Sequence, residues 1–186
     1  MNTKAIEIVL TATVLLTVFA KSACDCGGYR LEIEYIRNCN SDNIVELSKN
    51  FSVALKQNCQ MELRGCVTLY ANITDAEIDY TVQKDTFKRS GKKNVCVQLE
   101  NAPDEIVKVS EKLGVPNRCP FKKGTVCLDN KSINVSKYKL RMNVLVGHLK
   151  GKALMTTNAG KSCVEFSAKL DNVFVRAFAL PTIHGR

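Results

Sequence analysis

Hydrolysis or acyl transfer through a serine or cysteine nucleophile requires a base within hydrogen-bond reach. The 186-residue chain has two imidazoles, His148 and His184. Neither stands in a recognisable catalytic signature: His148 reads as a strand residue at the end of an apolar face, and His184 lies almost at the C-terminal end. Carboxylates are scattered, and no pair can be assigned to glycoside chemistry from its spacing. The residue types argue against an enzyme, and no catalytic residue is assigned.

Cysteine is the other reactive type. Nine cysteines lie at irregular intervals, from Cys24 to Cys163. Paired zinc ligands follow tighter spacings. Cys24-x-Cys26 and the Cys59 and Cys66 pair could nominally recruit a metal, but two histidines make a mixed site improbable, so disulfides are expected and no metal or cofactor is. Their pairing does not follow from spacing. On one straight strand Cys59 and Cys66 would stand about 23 Å apart at roughly 3.3 Å per residue, so they can join only if Arg64-Gly65 turns the chain. An odd count leaves one thiol unpaired or shared between chains.

The N-terminal end supplies a compartment in which disulfides persist. Lys4 gives a positive start, Ile6 to Ala20 is almost wholly apolar, and Ala20, Ser22 and Ala23 offer cleavage points, the pattern of a signal peptide over residues 1–22. The apolar run is shorter than the roughly 20 residues a membrane anchor needs. Residues 23–186 are then expected to be one exported, extracellular domain, long enough to bury close to ~70% of the unfolded chain's surface. Four acceptor triplets, at Asn50, Asn72, Asn130 and Asn134, fit glycosylation on that route. The net charge of +9 falls by one when Lys4, Glu7 and Lys21 leave. Sparse aromatics and the absence of a stacking motif argue against nucleic acid as a partner; anionic lipid head groups, an anionic membrane surface, sulfated sugars or a receptor are the partners a basic exported chain suits.

These residues must be positioned mainly by strands, because the hydrophobic period is mostly two. Tyr29, Leu31, Ile33 and Tyr35 alternate with charged residues, as do Phe51, Val53 and Leu55 with smaller or polar ones. Met61 to Ile73 continues the habit with a break at Gly65, and Ile78, Tyr80 and Val82 carry another strand. Tyr138, Leu140, Met142, Val144 and Val146 form the clearest alternation, with Val164, Phe166, Ala168 and Leu170 expected as its neighbour. Leu149 and Ala153 to Met155 suggest a further short strand before a turn at Asn158-Ala159-Gly160. One segment differs: Pro103 to Leu113 has Pro at its start, Asp104 and Glu105 in its first turn, Ile106, Val109 and Leu113 at helical spacing, and Gly114 as stop. The expected fold is an all-β sandwich of antiparallel strands with one short helical insertion and several disulfides.

The run Gly114-Val115-Pro116-Asn117-Arg118-Cys119-Pro120-Phe121-Lys122-Lys123-Gly124, followed by Gly160-Lys161 and Cys163, resembles the lipid-recognition domain family that includes the lysosomal ganglioside activator. The resemblance covers roughly Asn94 to Leu170. It implies that Cys163, in the last strand, pairs with Cys39, and that Cys96 pairs with Cys119 of the Cys-Pro-Phe turn. Asn117 stands where the activator has a cysteine, so one family bridge is absent. Cys24, Cys26, Cys59, Cys66 and Cys127 are extra, with their pairing open. The extra cysteines and diverged first half look closer to the insect chemosensory-B branch, small exported proteins of gustatory organs.

Composition alone describes two sheets interdigitated into a solid core. The resemblance implies instead a β-cup whose splayed sheets hold an acyl chain or hydrocarbon, each buried methylene contributing roughly 0.8 kcal/mol. It makes the protein a non-enzymatic lipid-binding or lipid-transfer protein, with a lipid or other hydrophobic small molecule as its partner. By face, the lining would be Val53 and Leu55; Leu140, Met142 and Val144; and Val164 and Phe166, with Ile106 and Val109 closing one side and Phe121 at the rim. The competing reading is a secreted interaction module with a solid core, binding glycosaminoglycan, anionic membrane or a receptor through a basic loop at Lys84 to Lys93.

Overall fold

The computed structural model describes residues 26–172. The signal peptide, Cys24 and His184 lie outside the described residues. In chain order the elements are β1 (Tyr29–Asn38), β2 (Val45–Leu47), β3 (Ser52–Leu55), β4 (Gln60–Arg64), β5 (Cys66–Leu69), β6 (Ala76–Lys84), β7 (Phe87–Asn94), α1 (Val95–Glu100), α2 (Asp104–Leu113), β8 (Gly124–Cys127), β9 (Lys131–Asn134), a 3₁₀ turn at Ser136–Tyr138, α3 (Lys139–Leu145), β10 (Gly147–Thr157) and β11 (Gly160–Asn172). The fold is all-β. One layer is a five-stranded antiparallel sheet in the order β1-β11-β10-β6-β7.

The second layer consists of two three-stranded sheets, β2-β5-β8 and β3-β4-β9, laid end to end. Their strands are continuations of one another, interrupted at one level by Ser48–Phe51, Gly65 and Leu128–Asn130. Gly65 is the hinge: its φ is +91°, and a Cβ there would stand 2.8 Å from the Phe51 Cα, so no L side chain fits. The break is stitched by the Gly65 N–H donating to Asp129 Oδ1 at 2.8 Å and the Leu128 N–H donating to the Gly65 carbonyl at 2.9 Å.

The described residues hold four disulfides: Cys26–Cys59, Cys39–Cys163 beside the β1–β11 pair, Cys66–Cys127 across the β5–β8 pair, and Cys96–Cys119. Two are the pairings implied by the resemblance. The others answer the open question of Cys59 and Cys66: the chain bends at Gly65 without reversing, and the two join different partners. All four acceptor asparagines, Asn50, Asn72, Asn130 and Asn134, are exposed.

α2 forms where expected, with Gly114 left-handed at φ +67° and its N–H on the Glu111 carbonyl. Two helices were not expected. α1 is only six residues long, started by Asn94, whose side chain accepts the Val97 N–H at 3.0 Å. The second, α3, replaces the strand expected over Tyr138–Val146. Residues two apart lie about 200° apart on a helix and residues four apart about 40°, so an alternating run also contains two opposed helical stripes. Tyr138, Met142 and Val146 take the buried stripe, Met142 within the core and the other two packed against it. Leu140 and Val144 take the other and are 88% and 72% exposed. The polar alternates Lys139 and Arg141 are strong helix formers, a signal the alternation masked. On this geometry Leu140→Lys and Val144→Lys should each leave stability within about 0.5 kcal/mol in thermal melts; a loss of several times that would mean the stripe is buried.

The run Lys84 to Lys93 is likewise not a loop. It closes β6 and forms most of β7, the edge strand, paired to β6 from Glu77–Asn94 to Lys84–Phe87. Its sequence lacks an apolar period because both of its faces are wet, and charge on an edge discourages pairing with other chains.

Candidate functional site

The register of the large sheet sorts its side chains onto two faces. The inner face carries Tyr29, Leu31, Ile33 and Ile36 from β1, Leu170, Ala168, Phe166 and Val164 from β11, Leu149, Gly151, Ala153 and Met155 from β10, and Ile78, Tyr80 and Val82 from β6. A bulge between Ile33 and Tyr35 re-aims β1. It turns Tyr35 outward under the Arg37 guanidinium, 4.6 Å from the ring centre, and brings Ile36 in; strict alternation had placed Tyr35 inside.

This face is buried at its two ends, under Ala76 and Ser162 at one and under a hydrophobic cluster at the other. Cys26, Tyr29, Cys59, Val135, Met142 and Leu170 form the buried cluster, with Leu55, Met61 and Ile133 of the second layer against it. Farther along, Leu149, Ala153, Met155, Ile78, Tyr80, Val164 and Phe166 are all half-buried, and Val82 is 38% exposed. Inner faces of sheets stacked at about 10 Å interdigitate and bury such residues. Here the apolar residues of the floor stay half-exposed.

Glycines deepen that floor. The Phe166 ring lies flat across β10, so that a Cβ on Gly151 would stand 2.1 Å from Phe166 Cε1. Tyr80 lies over Gly91 of β7 in the same manner, its Oη 2.6 Å from where a Cβ would be. Two aromatic rings that would otherwise stand between the layers are thereby laid down along the sheet.

The expected lining residues are distributed accordingly. Val164 and Phe166 belong to the floor, and Val53 is half-buried on β3. Leu55 sits against the closed-end core. On α2, Val109 is half-buried and Ile106 is 45% exposed. Phe121 is half-buried and paired through its backbone with Ile73. Met142 is a core residue, and Leu140 and Val144 face solvent, because their segment is helical. The floor residues of β10 and β6 were legible as strands but not as lining.

The outer face is polar. Ser167 Oγ donates to Glu34 Oε2 at 2.7 Å and stands 3.1 Å from His148 Nε2, while Glu34 Oε1 is 2.9 Å from the same nitrogen. A hydrolytic relay needs the hydroxyl on one imidazole nitrogen and the carboxylate on the other. Here both claim Nε2, and Ser167 is fully buried, so the trio cross-links β1, β10 and β11 without offering a nucleophile. Hydrogen bonds from Ser167 and then His148 hold the Glu34 carboxyl below its usual range. Beside it, Asp79, Tyr80, Thr81, Lys88, Ser90, Gly91, Lys92, Lys152 and Leu154 line a shallow groove of about 590 Å³.

No family model matches the chain, and no curated protein matches it. Among solved structures, that of chicken MD-1 complexed with lipid IVa is similar to it at 13% identity and a TM-score of 0.33, over 73% of this chain and 96% of that one.

Proposed function

We propose that the protein is an exported, non-enzymatic lipid carrier that holds an acyl chain or hydrocarbon on the unfilled apolar floor between its sheets. The observation that carries this reading is the contrast within one face: Tyr29 and Leu170 are buried, while Val82, Tyr80, Met155 and Ala153 on the same face are not. A floor built from methyl groups and flat rings can hold a chain by desolvation alone, at roughly 0.8 kcal/mol per methylene. Four disulfides suit extracellular service, and no helix among the described residues is long and apolar enough to cross a membrane. The sequence resemblance around Gly114–Gly124 adds support, and its insect branch suggests a lipid-like chemosensory cue as cargo. Native mass spectrometry of the protein purified from a secreting host is expected to find a co-purified single-chain lipid.

The second reading, an interaction module for sulfated glycans, is favoured by the lysine-lined groove on the outer face. Retention on heparin together with a lipid-free mass spectrum would select it.

A further inference from the structure

By register three cations stand on the inner side of the large sheet, and one of them, Lys84, is paired with Asp85. On β7, Arg89 pairs with Val82 and Lys93 with Ile78, so both belong to the apolar inner face rather than the polar outer one. β7 is the free edge of that sheet, and both residues are exposed. Neither side chain forms an ion pair or hydrogen bond among the described residues. That distinguishes them from Lys92 on the same strand, which pairs with Glu77 on the outer face.

Between them is Gly91, paired with Tyr80. The Tyr80 ring crosses onto the edge strand there, its Oη over Gly91 and without a hydrogen-bond partner among the described residues. The Cα atoms of Arg89 and Lys93 are about 13 Å apart at roughly 3.3 Å per residue. Two long side chains can converge from that separation on the space above a residue that has no side chain. Were they to converge, a guanidinium and an ammonium would join the phenolic O–H at the open border of a surface otherwise suited to methylenes.

We propose that Arg89, Lys93 and the Tyr80 hydroxyl bind the anionic head group, carboxylate, sulfate or phosphate, of the lipid whose chain lies on the floor, so that the cargo class is an acidic single-chain amphiphile. This rests on the carrier reading above. The chemistry is that of charge-assisted hydrogen bonding at an edge where water is partly excluded by the chain itself. The competing account of inward-pointing charge on an edge strand is protection against sheet-to-sheet aggregation, which requires no ligand.

The test compares palmitate, hexadecyl phosphate and hexadecanol by displacement of a fluorescent fatty acid and by isothermal titration, on three proteins. These are the wild type, an inner-face variant (Arg89→Gln with Lys93→Gln) and an outer-face variant (Lys88→Gln with Lys150→Gln) of equal net charge. The inner-face variant is expected to lose about tenfold or more in affinity for palmitate and hexadecyl phosphate, the scale of lost charge-assisted hydrogen bonds. Its affinity for hexadecanol, and every affinity of the outer-face variant, should be unchanged. Tyr80→Phe should reproduce part of the loss without altering charge. A wild type that binds hexadecanol as tightly as palmitate overturns the head-group site while leaving the carrier standing. Equal losses in the two double variants reduce the effect to net charge and also overturn it. A wild type that binds none of the three overturns the carrier reading and the site with it. Should the inner-face variant aggregate, with Tyr80→Phe binding palmitate as the wild type does, Arg89 and Lys93 serve to protect the edge.

Discussion

Cys163→Ala is expected to be among the most damaging substitutions in the chain, abolishing secretion or lowering the melting temperature sharply. The bridge it removes joins residues 124 apart in sequence, and the chain-entropy relation gives about 5 kcal/mol for a loop of that length. A domain of this size has roughly 5–15 kcal/mol in total. The bridge also anchors the start of β11: Cys39 donates its N–H to the Cys163 carbonyl at 2.9 Å, and the Cys163 N–H donates to Asn43 Oδ1 at 2.7 Å. Without it the loop bearing Asn43, which also leads into β2, is held by hydrogen bonds and by the packing of Ile44 against Gly160. The Cys96–Cys119 bridge spans 23 residues, for which the same relation gives about 3.4 kcal/mol. Denaturant midpoints should therefore fall further for Cys163→Ala than for Cys96→Ala. The reverse order would mean that the long loop is already ordered in the unfolded state and that entropy does not govern the difference.

The sequence exposes the sandwich because half-buried strands must alternate, and β1, β3, β6 and β11 do so. It exposes α2 because a helix of that length needs both a polar first turn and a stop. It hides α3 because alternation over nine residues satisfies a strand and two opposed helical stripes alike, and the arbiter was the helix-forming Lys139 and Arg141 between the apolar residues. It hides β7 because an edge strand is specified by backbone pairing to β6, and its side chains record only the solvent they meet. The bulge in β1 is invisible in advance for a related reason: one extra residue changes the face of everything after it without changing composition.

The candidate site was legible in part and for similar causes. Val164 and Phe166 lie on a strand whose own alternation shows its apolar side, so their face could be read, although the neighbour expected for it, Tyr138–Val146, is helical and β11 pairs with β1 and β10 instead. Leu140, Met142 and Val144 were assigned to that face through the strand that became α3. What no period reveals is the role of absence: Gly151 and Gly91 contribute to the floor by letting Phe166 and Tyr80 lie down, and a glycine in a strand signals a close approach without naming the partner. The same limit applies to Arg89 and Lys93, whose register against Val82 and Ile78 had to be seen before their charge meant anything.

Gly151→Val should separate an open cup from a closed sandwich most directly. Gly151 lies in the middle of β10 on the inner face, paired with Phe166 on one side and Val82 on the other. A Cβ there would stand 2.1 Å from Phe166 Cε1, so the ring must rotate away from the sheet, and the only direction available to it is into the space between the layers. If that space is filled, the ring and the two added methyl groups overpack it at a cost of roughly 1–3 kcal/mol or more. If it is the unfilled floor described above, the ring moves into vacant volume. Gains from replacing a strand glycine, roughly 0.5–1 kcal/mol, then offset part of the rearrangement. The expected result is affinity for a fluorescent fatty acid reduced about tenfold, equivalent to about 1.4 kcal/mol, with the melting temperature nearly unchanged. A second substitution, Phe166→Leu on the Gly151→Val background, removes the displaced ring and should restore much of the affinity. A Gly151→Val protein that melts many degrees lower, from a wild type that binds no fatty acid probe, would instead describe a solid sandwich, and the apolar floor would have no cargo.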